Sequence, residues 1–193
     1  MRRRLTVDFR ATLLVLERRF AERGCRWAVI GGVAMGFYGV PRATVDVDIL
    51  ADGAFAPLLD EMLGDLGYRL EYRWEESSHF APTAPERCPL DVLHARRPHT
   101  LGMLARARLL PLGGDGPAVP VVDAEDLVGL KVQAMVNDPE RRRGELVDIR
   151  ALFEAAVARG VRLDRRRIEE YFAIFGERAE FAELSRGVED AFA

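Results

Sequence analysis

Cysteine is scarce in these 193 residues. Cys25 and Cys88 fit no zinc or iron–sulfur spacing, and buried free thiols are the expectation. Histidine is nearly as rare, and His79, His94 and His99 show neither HExxH spacing nor cysteine partners. They are read as structural residues. No apolar run approaches the roughly 20 residues of a membrane-spanning helix. The basic start, Met1 to Arg4, is followed by an amphipathic pattern rather than an apolar signal core. No membrane association and a cytoplasmic location are therefore expected. There is no GxxxxGK[ST] element, which excludes a P-loop. The formal net charge is only −3, so nucleic acid is not attracted globally. Arginine clusters at 2–4, 141–143 and 165–167 could act only locally, and as charge runs they fit solvated helix ends.

What is present is an ordinary globular composition, 49% hydrophobic and 31% charged. The chain is organised around 27–51, WAVIGGVAMGFYGVPRATVDVDILA. The spacing predicts a strand over 27–30, a Gly31-Gly32 turn, a short helix over 33–38 and a second strand over 44–50. Strand side chains alternate, so Asp46 and Asp48 share one face, with Val45, Val47 and Ile49 on the other. Two carboxylates on an apolar strand are costly without a compensating cation. Mg²⁺ is one candidate, because it takes one or two carboxylates and fills its shell with water and phosphate oxygens.

Apolar spacing predicts helices over 6–23 and 54–66, ended by Gly24 and Gly67. Strands follow over 68–74, around Phe80 and over 88–93, with Asp91 in the middle of the last. A helix over 100–107 precedes a hairpin over 109–122, turned at Gly-Gly-Asp-Gly. From Asp123 the pattern is helical: an acidic first turn, a helix over 140–159 closed by Gly160, one capped by Asp164 and ending at Phe175, and one over 177–192. The expected fold is α+β (α/β), a mixed sheet flanked by helices and followed by a C-terminal helical part. The expected division is a core over 1–122 with its N-terminal helix and a helical region over 123–193 packing on it.

Three acidic residues, Asp46, Asp48 and Asp91, thus stand within predicted strands. One such Asp is commonly a capped or hydrogen-bonded carboxylate. Three in two strands repel one another unless cations bind. Two divalent ions between such carboxylates form the usual clamp for in-line phosphoryl or nucleotidyl transfer. Gly31-Gly32 before a helix lets a phosphate approach the backbone and the free amides of the helix start.

Gly31-Gly32, a spacer, Asp46-Val47-Asp48 and the later Asp91 resemble the nucleotidyltransferase (polymerase β-like) superfamily. The wording GGVAMGFYGVPRATVDVDIL resembles its AbiEii/AbiGii branch, which includes type IV toxin nucleotidyltransferases. DAEDLVGLKVQAMVNDPERRRGELVDIRALF is similar to a second pattern of that branch, with Lys131 and Asp148 at its charged positions. Two departures stand out. Gly32 replaces a serine common in active relatives, and Gly144-Glu145 replaces Lys-Asp.

The resemblance implies a Mg²⁺-dependent enzyme, with two ions, that moves NMP from an NTP such as ATP to a hydroxyl. Asp46 and Asp48 would hold the ions on the nucleotide. Asp91 would complete the acceptor-side metal and help deprotonate the attacking hydroxyl. Gly31 and Gly32 would cradle phosphates, and Lys131 would neutralise the departing pyrophosphate. Arg42 and Thr44 are candidates for ordering the loop or touching phosphate, and Asp148 for orienting Lys131 or a neighbouring arginine. His94, three residues beyond Asp91, is a candidate site wall. The acceptor stays open between an RNA 3′ end such as tRNA, a protein side chain, and a small molecule as in antibiotic-modifying relatives. An antitoxin partner is implied. A catalytically weak NTP-binding or interaction protein is the alternative class.

Overall fold

The computed structural model describes residues 8–84 and 87–193. The arginines at 2–4 and the first residues of the helix expected over 6–23 lie outside the described residues. The chain forms two compact units. The first runs to Ala34 and resumes over Arg42–Val122; the second comprises Met35–Pro41 and Asp123–Ala193.

In the first unit, α1 spans Phe9–Glu22 and is capped by the Asp8 carboxylate, which accepts from the Ala11 amide at 2.9 Å. Leu13, Leu16 and Phe20 recur at helical spacing and are buried. Gly24 follows at φ +64°, a conformation glycine takes without a Cβ penalty. Then come β1 (Trp27–Ile30), α2 (Gly31–Phe37), whose last three residues belong to the second unit, and β2 (Val47–Asp52). The helix expected over 54–66 divides into a 3-10 turn, Gly53–Leu58, and α3, Leu59–Gly64. Pro57 lies within the 3-10 turn, and its missing N–H removes a bond that a continuous α-helix there would need. β3 (Tyr68–Arg73), β4 (Ser77–Pro82), β5 (Leu90–Ala95), α4 (Pro98–Arg106), β6 (Arg108–Pro111) and β7 (Ala118–Val121) complete the unit.

The strands form one sheet in the order β3-β4-β5-β2-β1-β7-β6. β2 is parallel to β5 and β1 is parallel to β7, while the other neighbouring pairs are antiparallel. The expected hairpin over 109–122 is the β6–β7 pair, with Gly113 and Gly114 at positive φ in its turn. The central strands β1, β2 and β5 carry fully buried Val29, Ile49, Leu50, Leu90 and Val92, as strands covered on both faces do. Cys25 and Cys88 are buried free thiols. Burial pushes the Cys25 thiol up to about 12, which leaves it unreactive.

The second unit holds α5 (Ala124–Asn137), α6 (Arg142–Arg159), α7 (Arg165–Ile174) and α8 (Arg178–Leu184). Gly160 ends α6 in the left-handed conformation, and Asp164 caps α7 by accepting from the Arg167 amide. The helix expected over 177–192 is interrupted: Gly187 sits at φ +75° and a 3-10 turn, Glu189–Ala191, follows. Phe153, Phe181 and Phe192 meet edge-to-face, and Phe172 packs on Phe181. Gly129 admits the Tyr171 ring, since a Cβ there would lie 2.7 Å from it.

His94 faces away from Asp91, because three residues along a strand reverse the side-chain direction. It is buried rather than a site wall. Its Nδ1 lies 3.0 Å from the Glu75 carbonyl and its Nε2 3.0 Å from the Ser78 hydroxyl. A carbonyl only accepts, so Nδ1 carries the hydrogen and Nε2 accepts from Ser78. Burial lowers the pKa of His94 from 6.5, against the Glu75 carbonyl. Its neutral form therefore contributes stability above pH 6.5, and that contribution is lost as pH falls through the lowered value. Urea unfolding across this range is expected to show stability falling with acidity in the wild type, with a shallower fall in His94→Gln.

Candidate active site

β2 begins at Val47, three residues later than the 44–50 expectation, and Asp46 occupies a bend just before it. Val47 and Ile49 are buried as expected, whereas Val45 is exposed because it precedes the strand. Asp48 remains on β2 and Asp91 on β5, and the parallel register pairs them directly. Neighbouring strands lie about 4.8 Å apart, so this register brings together two carboxylates distant in sequence. Asp46 completes the group: one ligand atom each from Asp46, Asp48 and Asp91 all lie within 4.8 Å of one another. All three residues are partly exposed. Three hard oxygen donors at this separation fit a Mg²⁺ centre that keeps positions for water and phosphate. Unscreened, they repel.

Gly31 is built into this group. The β1–β2 register pairs Ile30 with Asp48, so the next residue abuts the carboxylate. A Cβ on Gly31 would meet Asp48 Oδ2 at 2.0 Å, and Gly31 has φ +64°. Both space and conformation demand glycine. Gly31 also opens α2 directly, so the expected Gly-Gly turn is the first turn of that helix. Gly32 lies against Thr44, whose Oγ1 would be 3.3 Å from a Cβ there. That hydroxyl donates to Asp46 Oδ1 at 2.5 Å. A hydroxyl thus stands beside Gly32 after all, supplied by Thr44. Arg42 lies exposed in the loop ahead of Asp46.

Sequence reasoning set His79 aside as structural. In the structure its Nδ1 lies 2.5 Å from Asp91 Oδ1. Only the β4–β5 register, which pairs His79 with Asp91, reveals this.

Lys131 is on α5 of the helical unit, where it is buried. Its ammonium donates to Glu145 Oε2 at 3.0 Å and to Asp148 Oδ2 at 2.6 Å. Glu145 and Asp148 are three apart on α6 and share a helix face. Of the two partners considered for Asp148, Lys131 is one that it meets. Glu145 takes a second position at the same ammonium and also accepts from Arg141 at 2.6 Å. Burial alone would raise the Glu145 carboxyl, but the charges and hydrogen bonds of Lys131 and Arg141 together outweigh it and hold that carboxyl below its ordinary value. A signal was available in the sequence: Lys131 is the sole lysine among 28 Lys and Arg residues. A compact, flexible ammonium suits a narrow space between two carboxylates better than a planar guanidinium does.

The model of a family described as nucleotidyl transferase AbiEii toxin, type IV TA system, matches residues 14–192. No curated protein matches the chain. Among solved structures, the solution structure of the antibiotic-resistance factor ANT(2″)-Ia superposes with a TM-score of 0.63 at 17% identity, covering 92% of this chain and 97% of that one. A crystal structure of ANT(2″)-Ia with adenylyl-2″-tobramycin gives 0.61 at 19% identity, covering 89% and 99%. An antigenic nucleotidyltransferase-like protein from Paracoccidioides brasiliensis gives 0.59 at 16% identity, covering 94% and 92%. Likenesses at this identity establish the fold.

Two outcomes follow from the geometry. Gly31→Ala forces a Cβ into the Asp48 carboxylate at a left-handed position, which alone costs roughly 1–2 kcal/mol; denaturant unfolding should register at least that loss, and titration with Mn²⁺ should show weakened binding. Lys131→Met leaves two buried carboxylates without their cation, and unfolding should show a loss of about 3–5 kcal/mol.

Proposed function

The chain belongs to the AbiEii nucleotidyltransferase family of type IV toxin systems, and from that premise we propose that it transfers NMP from a Mg²⁺-bound NTP to a hydroxyl acceptor, an RNA 3′ end first among them. The observation that carries this reading is the carboxylate cluster of Asp46, Asp48 and Asp91, closed against Gly31. Asp46 and Asp48 would hold the cations on the nucleotide, and Asp91 would complete the acceptor-side position. Mg²⁺ bound there supplies Lewis-acid charge at the phosphate oxygens and at the attacking hydroxyl. Asp91 takes the hydroxyl proton as the oxygen attacks the α-phosphorus and pyrophosphate leaves.

Gly31 and Gly32 let the phosphates approach the start of α2, and Arg42 and Thr44 order the loop that carries Asp46. Lys131 would neutralise the departing pyrophosphate, with Asp148 holding its ammonium. Because the ammonium already meets two carboxylates, that role requires it to exchange one of them for a phosphate oxygen. The family description supports a role as the toxin of a pair, with an antitoxin protein as partner. A small-molecule hydroxyl is the second reading, suggested by the shared fold with an antibiotic-resistance factor.

The test is label transfer. Protein is incubated with each α-labelled NTP, Mg²⁺ and total RNA, and the Asp48→Asn variant is run in parallel. Label should appear in RNA with the wild type and fall by roughly a hundredfold or more in the variant, since losing a ligand exceeds the 10–100-fold cost of losing an outer partner. Label in neither RNA, protein nor small acceptors, together with no NTP binding, would overturn the reading.

A further inference from the structure

The geometry points to His79 as the positioning residue for Asp91, fixing which oxygen of that carboxylate is offered to the reaction. This rests on the reading of the carboxylate cluster as the metal and acceptor site. The Asp91 side chain is 42% exposed, and a carboxylate that open would rotate among several orientations without a partner. His79 is placed opposite it by the β4–β5 register, with Nδ1 2.5 Å from Oδ1. An ionised carboxylate only accepts, so Nδ1 carries the hydrogen and donates. One oxygen is thereby held, and the plane of the carboxylate with it. The second oxygen is left for the cation and the acceptor hydroxyl.

The imidazole is itself held. Tyr72, paired with His79 across β3–β4, stacks on it with ring centroids 4.9 Å apart and planes 17° apart. A register shift between Leu70 and Tyr72 lets Glu71 approach the same ring from its other edge, with Oε2 3.7 Å from Nε2. Stacking fixes the ring plane, and a fixed ring plane fixes the direction of the Nδ1–H. Thr44 likewise donates to one oxygen of Asp46. Asp46 and Asp91 therefore each have one oxygen anchored by a donor side chain that ligates nothing itself. This is the arrangement by which outer-shell partners orient metal ligands.

The test compares His79→Ala, His79→Asn and His79→Gln. The Asn amide nitrogen falls near the place of Nδ1, whereas the Gln amide nitrogen falls near that of Nε2. Two readouts are taken on the full chain: Mn²⁺ affinity by titration without nucleotide, and kcat and KM for label transfer. Mn²⁺ affinity is expected to fall about 10-fold or more in the Ala and Gln variants and to stay near wild type in Asn. Likewise kcat should fall in Ala and Gln with KM for the NTP unchanged, and recover in Asn. Wild-type Mn²⁺ affinity in His79→Ala, or equal losses in Asn and Gln, overturns the positioning role. Failure of the wild type to transfer any label overturns the nucleotidyl-transfer reading instead, and the Mn²⁺ titration still decides the role of His79.

Discussion

The constraint on which the rest of the first unit depends is the enforced proximity of three like charges. Carboxylates in solution would separate; here the backbone ladder of parallel β2 and β5 holds Asp48 beside Asp91. Each ladder bond contributes only about 1 kcal/mol net. The strands are nevertheless fixed by the apolar residues that alternate with the acids: Val47, Ile49, Leu90 and Val92 are fully buried. Alternation lets one strand serve both purposes, with one face supplying burial and the other the site. The energy that assembles the cluster comes from the hydrophobic side of the same strands.

The flanks of the cluster show how much else is arranged around that repulsion. Gly31 removes the Cβ that would otherwise occupy the Asp48 oxygen. Thr44 and His79 each tie one oxygen of an outlying carboxylate. Short hydrogen bonds from these donors reduce the freedom of the acids. The helical unit solves the opposite problem. There the ammonium of Lys131 is buried and would be costly alone, and Glu145 and Asp148 balance it. Glu145, longer by one methylene than the Asp of many relatives, still reaches the ammonium and retains Arg141 as an outer partner.

Local punctuation was legible. The β1 boundaries, the caps at Gly160 and Asp164 and the β6–β7 hairpin follow directly from residue types with strong backbone preferences. Boundaries failed where a single residue interrupts an apolar period. Pro57 converts the start of a helix into a 3-10 turn, and Gly187 breaks the last helix, although apolar spacing runs through both. Asp46 fell outside its strand because a period-2 pattern continues into a bend without revealing where pairing begins.

Sequence alone determined the acids, the glycines and the family, since a short motif records chemistry that few other residue types can perform. It could not determine which oxygen of Asp91 is held, or by what. That depends on His79, twelve residues earlier on the adjacent strand, and on a ring stacked across one strand more. Such contacts are set by sheet register, and register is a property of how strands pair rather than of any one strand's residues. The same holds for Lys131, whose burial between two carboxylates follows from the packing of α5 on α6. Only the tertiary structure decided these placements.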